Sequence, residues 1–356
     1  MILETTEFNE NTATQSSCLI IMPIYNRRHF LQQAFKSLNE QTYHQWNLVI
    51  VDDGSTDEPL EVLKALTKAL DQRITYVKQA NGGPGSARAT GQEFQTNQQY
   101  VAFFDSDDYW LPEYLERAID QLENIPELDW IFCPCRRVDH SSGKTLLEST
   151  FFNEETNAPL HFLSMPVKRL GDAFIFPHNH TLAMTQLKQP IHAGFQNSVI
   201  RAKISRNVAI PEYRIGEDRY FLLAAILKGY GIGYIQDVGV IYHVHDDNLS
   251  DTNRDNKDVN KLVAVQQELC RSYSDIRKLT TDKEILAEAA QQSAKIKFWL
   301  IAYNYYWRSG EIGKALSTMI GVVLAHPGEF RYVKTLLASL LRAPIAVLSS
   351  TEKARH

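Results

Sequence analysis

The stretch Val101-Ala-Phe-Phe-Asp-Ser-Asp-Asp-Tyr-Trp110 decides how the rest of the chain is read. Its apolar lead, Tyr100 to Phe104, predicts a buried strand that stops at three carboxylates. In an extended chain, residues two apart point the same way. Asp105 and Asp107 are therefore expected side by side, with Asp108 close by. Like charges at that spacing repel unless a cation lies between them. Hard oxygen ligands suit Mg²⁺ or Mn²⁺, above all when substrate phosphates complete the shell. An acidic loop capping the next helix would use the same residues. On this segment alone both readings stand.

Upstream, strand and helix alternate. Cys18 to Tyr25 is a continuous apolar run, as in a strand buried on both faces. Arg28 to Gln41 has helical spacing at Phe30, Leu31, Ala34, Phe35 and Leu38. Trp46 to Val51 predicts a second strand, which ends at Asp52-Asp53-Gly54-Ser55-Thr56-Asp57. That cluster is placed to cap a helix from about Pro59 to Leu70. Ile74 to Lys78 predicts a third strand, and the loop Asn81 to Gly85 leads into a helix over Ser86 to Asn97. This spacing implies an α/β fold with a parallel sheet and helices on both faces. Ligands of such sheets bind at the carboxyl ends of the strands. Residues 52–57, 81–88 and 105–108 all fall at that edge. A glycine-rich loop with Arg88 behind it suits a diphosphate, although Gly-Pro pairs also mark plain turns.

Four segments in register carry a resemblance. They are Pro23-Ile-Tyr25-Asn26, Val51-Asp-Asp-Gly-Ser-Thr-Asp57, Gly82-Gly-Pro-Gly-Ser-Ala-Arg88 and Asp105-Ser-Asp-Asp108. Together they resemble the family 2 inverting glycosyltransferases of the GT-A fold, over roughly residues 18–250. The resemblance implies that Asp53 reads the nucleobase and that Pro23, Tyr25 and Asn26 line the same pocket. It implies that Arg88 helps hold the nucleotide and that Asp105 contacts the ribose or metal region. Asp107 would bind the divalent cation. Gly216-Glu217-Asp218 matches the family's acidic pair, with Asp218 as catalytic base. Tyr242-His243-Val244-His245 resembles a Tyr-Arg-x-His segment whose last residue, here His245, lies near the diphosphate and metal. His243 stands where the family has arginine, which puts one phosphate contact in doubt. The donor implied is a nucleotide-sugar, most often a UDP-sugar, with Mn²⁺ or Mg²⁺.

The residue types suit this chemistry. Negative charge grows on the departing diphosphate, where a cation at Asp107 and His245 would stabilise it. An acceptor hydroxyl needs a base on the opposite face of the sugar, a role open to Asp218. Taken alone, Glu217-Asp218 reads as an ordinary acidic first turn of a helix. A sugar nucleotidyltransferase would need a glycine-rich loop after the first strand, but Tyr25-Asn26-Arg27-Arg28 stands there. A non-catalytic sugar-nucleotide binder or scaffold of the same fold is the remaining alternative.

The net charge of −5 gives no reason to expect nucleic acid as a partner. Residues 295–356 nevertheless carry nine Lys or Arg against three Glu, a net of +6. Four cysteines are too few for a disulfide framework, and Cys133 and Cys135 read as buried thiols beside a strand. No leader pattern stands at the start, and no apolar run reaches the ~18 residues of a spanning helix. A cytoplasmic protein is expected. The domain reading is a disordered 1–17, a GT-A domain over 18–256 and a helical extension over 257–356. Residues 136–195, rich in histidine and aromatics, read as acceptor-binding loop or plain surface. In the extension, Ala287–Arg308, Glu311–Ala325 and Phe330–Arg342 are the expected helices. Trp299, Tyr306, Gly310, Ala315 and Pro327 follow one tetratricopeptide-like hairpin. The last helix bears an apolar stripe, Val333, Leu336, Leu337, Leu340 and Leu341, with Arg331, Lys334 and Arg342 off it. It suits packing on a neighbour, self-association or peripheral contact with a membrane near a glycan or lipid-linked acceptor.

Overall fold

The computed structural model describes residues 1–9, 16–178, 180–245 and 259–353, with side chains through residue 343. The chain forms two compact units, Met1–Asn248 and Leu249–His356.

Unit 1 is built on a ten-stranded sheet. Its first strands are β1 (Ile2–Phe8), β2 (Cys18–Ile24), β3 (Trp46–Asp52), β4 (Ile74–Gln79) and β5 (Tyr100–Phe103). The short β6 (Tyr109–Trp110), β8 (Cys135–Asp139), β9 (Thr145–Leu147) and β14 (Val240–Val244) form a second sheet in the order β6-β14-β8-β9. The large sheet is completed by β7 (Trp130–Phe132), β10 (Lys168–Leu170), β11 (Ala173–Ile175), β12 (Ser198–Arg201) and β13 (Ile232–Tyr234). Its order is β1-β4-β3-β2-β5-β12-β7-β13-β11-β10. The central run β4-β3-β2-β5 is parallel, and β1 and β12 flank it antiparallel. This is the α/β architecture expected, with its parallel centre.

The helices that matter for the site are α1 (Leu31–Asn39), α2 (Pro59–Leu66), α3 (Pro84–Glu93), α4 (Tyr114–Asn124), α5 (His180–Lys188), α6 (Ala202–Asn207) and α7 (Glu217–Leu227). Strand β2 is buried nearly throughout, because helices cover both sheet faces and leave it no wet side. Each Ile or Leu fully buried there contributes ~1.5–3 kcal/mol. Phe35, Leu38 and Leu31 of α1 pack with Ile20, Met22 and Leu48 in one core.

Two expectations are corrected. The N-terminal segment 1–17 is not wholly without structure: Ile2–Phe8 adds an edge strand to β4. The alternation Ile2, Glu4, Thr6, Phe8 carried too few apolar residues to announce it, and the backbone ladder supplies the pairing. Residues 10–15 of that segment lie outside the described residues. The 52–57 cluster does not cap α2, whose N-terminus has no side-chain cap. Asp52 instead accepts from Ser55 N at 2.7 Å and Tyr76 Oη at 2.6 Å, and Asp57 accepts from Arg28 N at 2.8 Å.

Unit 2 is helical: α8 (Val259–Asp275), α9 (Lys283–Lys295) running on as a π-helix over Ile296–Trp307, α10 (Ile312–Ala325) and α11 (Phe330–Lys353). Phe298, Ala302, Met319, Tyr332 and Leu336 share a core. The apolar stripe of α11 is therefore split. Leu336 packs inward with Tyr332, whereas Leu337, Leu340 and Leu341 are exposed. No helix among the described residues is long and apolar enough to cross a membrane.

Candidate active site

The carboxyl ends of β2, β3 and β5 converge with the start of α3 and the start of α7. Strand β5 ends at Phe103, and residues 105–108 form a turn closed by Asp108 N on Asp105 O at 3.0 Å. Strand alternation therefore does not place Asp105 and Asp107 side by side, since the chain has already left the extended conformation. The turn nevertheless presents both carboxylates partly to solvent and turns Asp108 under. Asp108 Oδ1 accepts from His243 N at 3.3 Å, and its buried Oδ2 has no partner. Burial, then Asp107 and Asp105, push its carboxyl well above the ordinary range.

Asp107 is held differently. His245 Nε2 lies 3.1 Å from its Oδ2 and Arg27 Nε lies 3.6 Å away. Burial opposes its charge, but His245 and Arg27 outweigh burial and keep the carboxyl below its ordinary value. His243 contacts Asp107 O at 3.0 Å and Gln33 Nε2 at 3.1 Å, and burial lowers its pKa. His140 completes an aromatic cluster, edge-on to His243 with centroids 5.5 Å apart. Among the described residues, no three His, Cys, Asp or Glu side chains form a cage able to hold a metal unaided. Asp107 with His245 could hold a hard cation only as part of a shared site, in which substrate oxygens would supply the remaining ligands.

On the other side of the turn, Arg88 binds two carboxylates. Its Nη2 donates to Asp105 Oδ1 at 2.5 Å and its Nη1 to Glu217 Oε1 at 2.7 Å. The guanidinium is buried and stacks over Phe195, 5.0 Å from the ring centroid. Burial pushes Glu217 up to about 7, although Arg88 pulls the other way. Glu217 and Asp218 open α7 behind Gly216, which has φ +80°. Asp218 is half-buried, and its Oδ1 accepts from Arg219 N at 2.7 Å.

The glycine loop is set by Asp53. Its Oδ1 accepts from Gln79 Nε2 and Gly82 N, both at 2.8 Å, and its Oδ2 from Gly83 N at 2.7 Å. A Cβ at Gly85 would stand 2.4 Å from Pro211 O, so the residue must be glycine for α3 to approach the 211–213 segment. Asn26, at φ +52°, accepts from Thr56 N at 2.9 Å and thereby ties the β2 and β3 loops together.

Residues 19–185 match the family model for glycosyl transferase family 2. Residues 19–185 thus form a family 2 glycosyltransferase domain. Glycosyltransferase GlyA of Streptococcus pneumoniae is 39% identical over 97 residues, 27% of this chain and 14% of GlyA. Succinoglycan biosynthesis protein ExoW of Rhizobium meliloti is 34% identical over 105 residues, 29% of this chain and 33% of ExoW. The chain thus spans less than half the length of these curated relatives. Among solved structures, Staphylococcus aureus TarS 1–349 in complex with UDP-GlcNAc aligns with TM-score 0.57 at 18% identity, over 95% of this chain and 91% of that one. Mannosyltransferase PcManGT of Pyrobaculum calidifontis, in complex with GDP-Man and Mn²⁺, aligns with TM-score 0.52 at 16% identity, over 95% and 88%. At these identities the likeness concerns the fold.

Unit 1 gathers Pro23, Tyr25, Asn26, Asp53, Arg88, Asp105, Asp107, Glu217, Asp218 and His245 around these strand ends. Tyr25 is half-exposed there. Arg88 is engaged by two carboxylates of its own chain, so in this structure its charge organises the site. Sequence reasoning missed His140 and Gln79. His140 follows β8, a strand predicted only loosely, and reaches the site through a contact across the small sheet. Gln79 closes β4 and its amide bridges Asp53 and Thr90 Oγ1, at 2.8 and 2.6 Å. The cysteine expectation is met for Cys133 and Cys135, which are buried free thiols. Burial pushes Cys133 up to about 12.

Proposed function

We propose that the protein transfers a sugar, with inversion, from a nucleoside-diphosphate donor to a hydroxyl acceptor of a cell-surface glycan or its lipid-linked precursor. The observation that carries this reading is Arg88. It joins the β5 turn to the acidic start of α7, so the donor-side carboxylates and the acidic pair lie next to each other. Asp218 is the base: it is half-exposed next to Glu217, and among the described residues its one hydrogen bond is that from Arg219 N to Oδ1. Glu217 is buried on Arg88 and positions its neighbour. Pro23, Tyr25, Asn26 and Asp53 form the nucleotide wall. Asp107 and His245 would hold a divalent cation, Mn²⁺ or Mg²⁺, which when bound offsets charge on the departing diphosphate. The donor class is a UDP-sugar, supported by the fold shared with a UDP-GlcNAc complex. A GDP-sugar is the outcome that would revise it.

The outward face of α11 adds a partner. Leu337, Leu340 and Leu341 are exposed beside Arg331, Lys334 and Arg342. This face fits an anionic membrane surface, where each Lys or Arg is worth ~1 kcal/mol. The protein is then cytoplasmic and peripheral to the membrane that carries its acceptor.

The test is a panel of sugar nucleotides with Mn²⁺, scored by transfer and by slow donor hydrolysis. Asp218→Asn is expected to keep donor affinity and lose ~10²-fold or more in turnover. Loss of donor affinity instead, or wild-type turnover, would refute the assignment. A donor that binds but is never transferred or hydrolysed would favour a non-catalytic binder.

A further inference from the structure

Unit 2 carries a groove of about 540 Å³, remote in kind from the carboxylate site. Its floor is α9, through Ala290, Ser293 and Ala294, and α8 and α10 form its walls. We propose that this groove binds an organic anion with a slim apolar body, of the alkyl or acyl phosphate class.

Three independent features lead there. The first is charge. Arg277, Lys297 and His326 line the groove, and no Asp or Glu does. Arg277 and Lys297 form no ion pair among the described residues. Two exposed cations without a counter-charge, over a floor of small apolar side chains, complement an anionic head on a hydrocarbon body.

The second is a weakly partnered polar atom. Ser293 is 5% exposed, and its buried Oγ has no partner stronger than the Cys270 thiol beside it. A thiol is a weak donor, so this hydroxyl would gain a stronger bond by rotating about its Cα–Cβ bond toward an anion in the groove.

The third is Gly321. It sits inside α10, where glycine is disfavoured relative to alanine. A Cβ built there meets no atom within 4 Å. Nothing in the chain needs the missing side chain. A molecule lying against the α10 backbone would. The volume lies within the ~300–1,000 Å³ common for small-ligand sites.

The test is isothermal titration of the full-length protein with three probes: decyl phosphate below its micelle concentration, decyl glucoside and inorganic phosphate. Decyl phosphate is expected to bind one per chain. The neutral glucoside and free phosphate are expected to bind at least about tenfold more weakly, the effect of losing a charge-assisted hydrogen bond or the apolar body. Lys297→Ala should weaken decyl phosphate by about tenfold and leave decyl glucoside unchanged. Gly321→Leu should abolish binding while circular dichroism shows the helices intact. Equal binding of the glucoside overturns the anionic reading, and equal binding of inorganic phosphate overturns the apolar one. Unchanged affinity in Gly321→Leu or in Lys297→Ala overturns the location. A concentration-dependent dimer that Gly321→Leu dissociates would give the groove to a second copy and overturn the proposal as well.

Discussion

Replacing Arg88 with methionine tests the tie between the two halves of the carboxylate site. Methionine keeps much of the volume over Phe195 and removes the charge. Arg88 makes two charge-assisted hydrogen bonds, to Asp105 and Glu217, and all three side chains are largely buried. Removing one partner of a buried ion pair costs ~3–5 kcal/mol, because the charge left behind is uncompensated. Against a total stability of ~5–15 kcal/mol this is a large fraction. The cost depends on pH in a definite direction. Burial already raises Asp105 and holds Glu217 up at about 7 with the arginine in place. Without it, both carboxyls move higher still, so the folded variant binds protons near neutral pH that the unfolded chain does not. Its deficit is therefore largest at pH 8 and shrinks on acidification, by ~1.4 kcal/mol per pH unit per extra proton. Urea unfolding followed by tryptophan fluorescence reads this, because Trp46, Trp110 and Trp130 are fully buried in unit 1. A cycle with Glu217→Gln should show a coupling of ~1 kcal/mol or more. A loss below ~1 kcal/mol at pH 8, or the same loss at pH 8 and pH 5.5, would refute the reasoning.

Other outcomes are expected. Glu217 has a folded pKa of about 7 against an ordinary 4.5, so its contribution is fully present below 4.5 and is lost as pH rises through 7. Relative to wild type, Glu217→Gln should therefore gain up to ~3 kcal/mol between pH 4.5 and 7, measured by the same unfolding; a flat difference would count against it. Asp107→Asn should fold normally but lose Mn²⁺-dependent thermal stabilisation by the donor, which for wild type is ~2.7 kcal/mol at a hundredfold excess over Kd. Full stabilisation of that variant would remove Asp107 from the cation site. Leu337→Asp with Leu341→Asp should abolish salt-sensitive co-sedimentation with anionic vesicles and leave donor hydrolysis intact. Truncation at residue 329 is the poorer probe, since Tyr332 and Leu336 belong to the core of unit 2. Vesicle binding that survives the double substitution would clear this face of the role.

What the sequence alone determined is local or periodic. The apolar runs at 18–24, 46–51 and 74–78 became β2, β3 and β4, because a strand buried on both faces must be apolar throughout. The Asp-rich and Gly-rich segments fell at one sheet edge because parallel strands bring their carboxyl ends together. Helical spacing likewise located α10 and the starts of α9 and α11 to within a few residues, but it did not mark out α8 and it ended α11 too early. What only the tertiary structure decided is partnership. Arg88 and Glu217 lie 129 positions apart, and no pattern in either segment says that one neutralises the other. The turn at 105–108 made Asp107 accessible and hid Asp108, a difference that depends on His243 from β14. Asp53 became the clamp of the glycine loop because that loop folds back over it. The apolar stripe of α11 divided into packed and exposed residues according to where Phe298 and Met319 stand. Such pairings are set by which elements the core brings into contact, and a sequence read by period and spacing does not contain them.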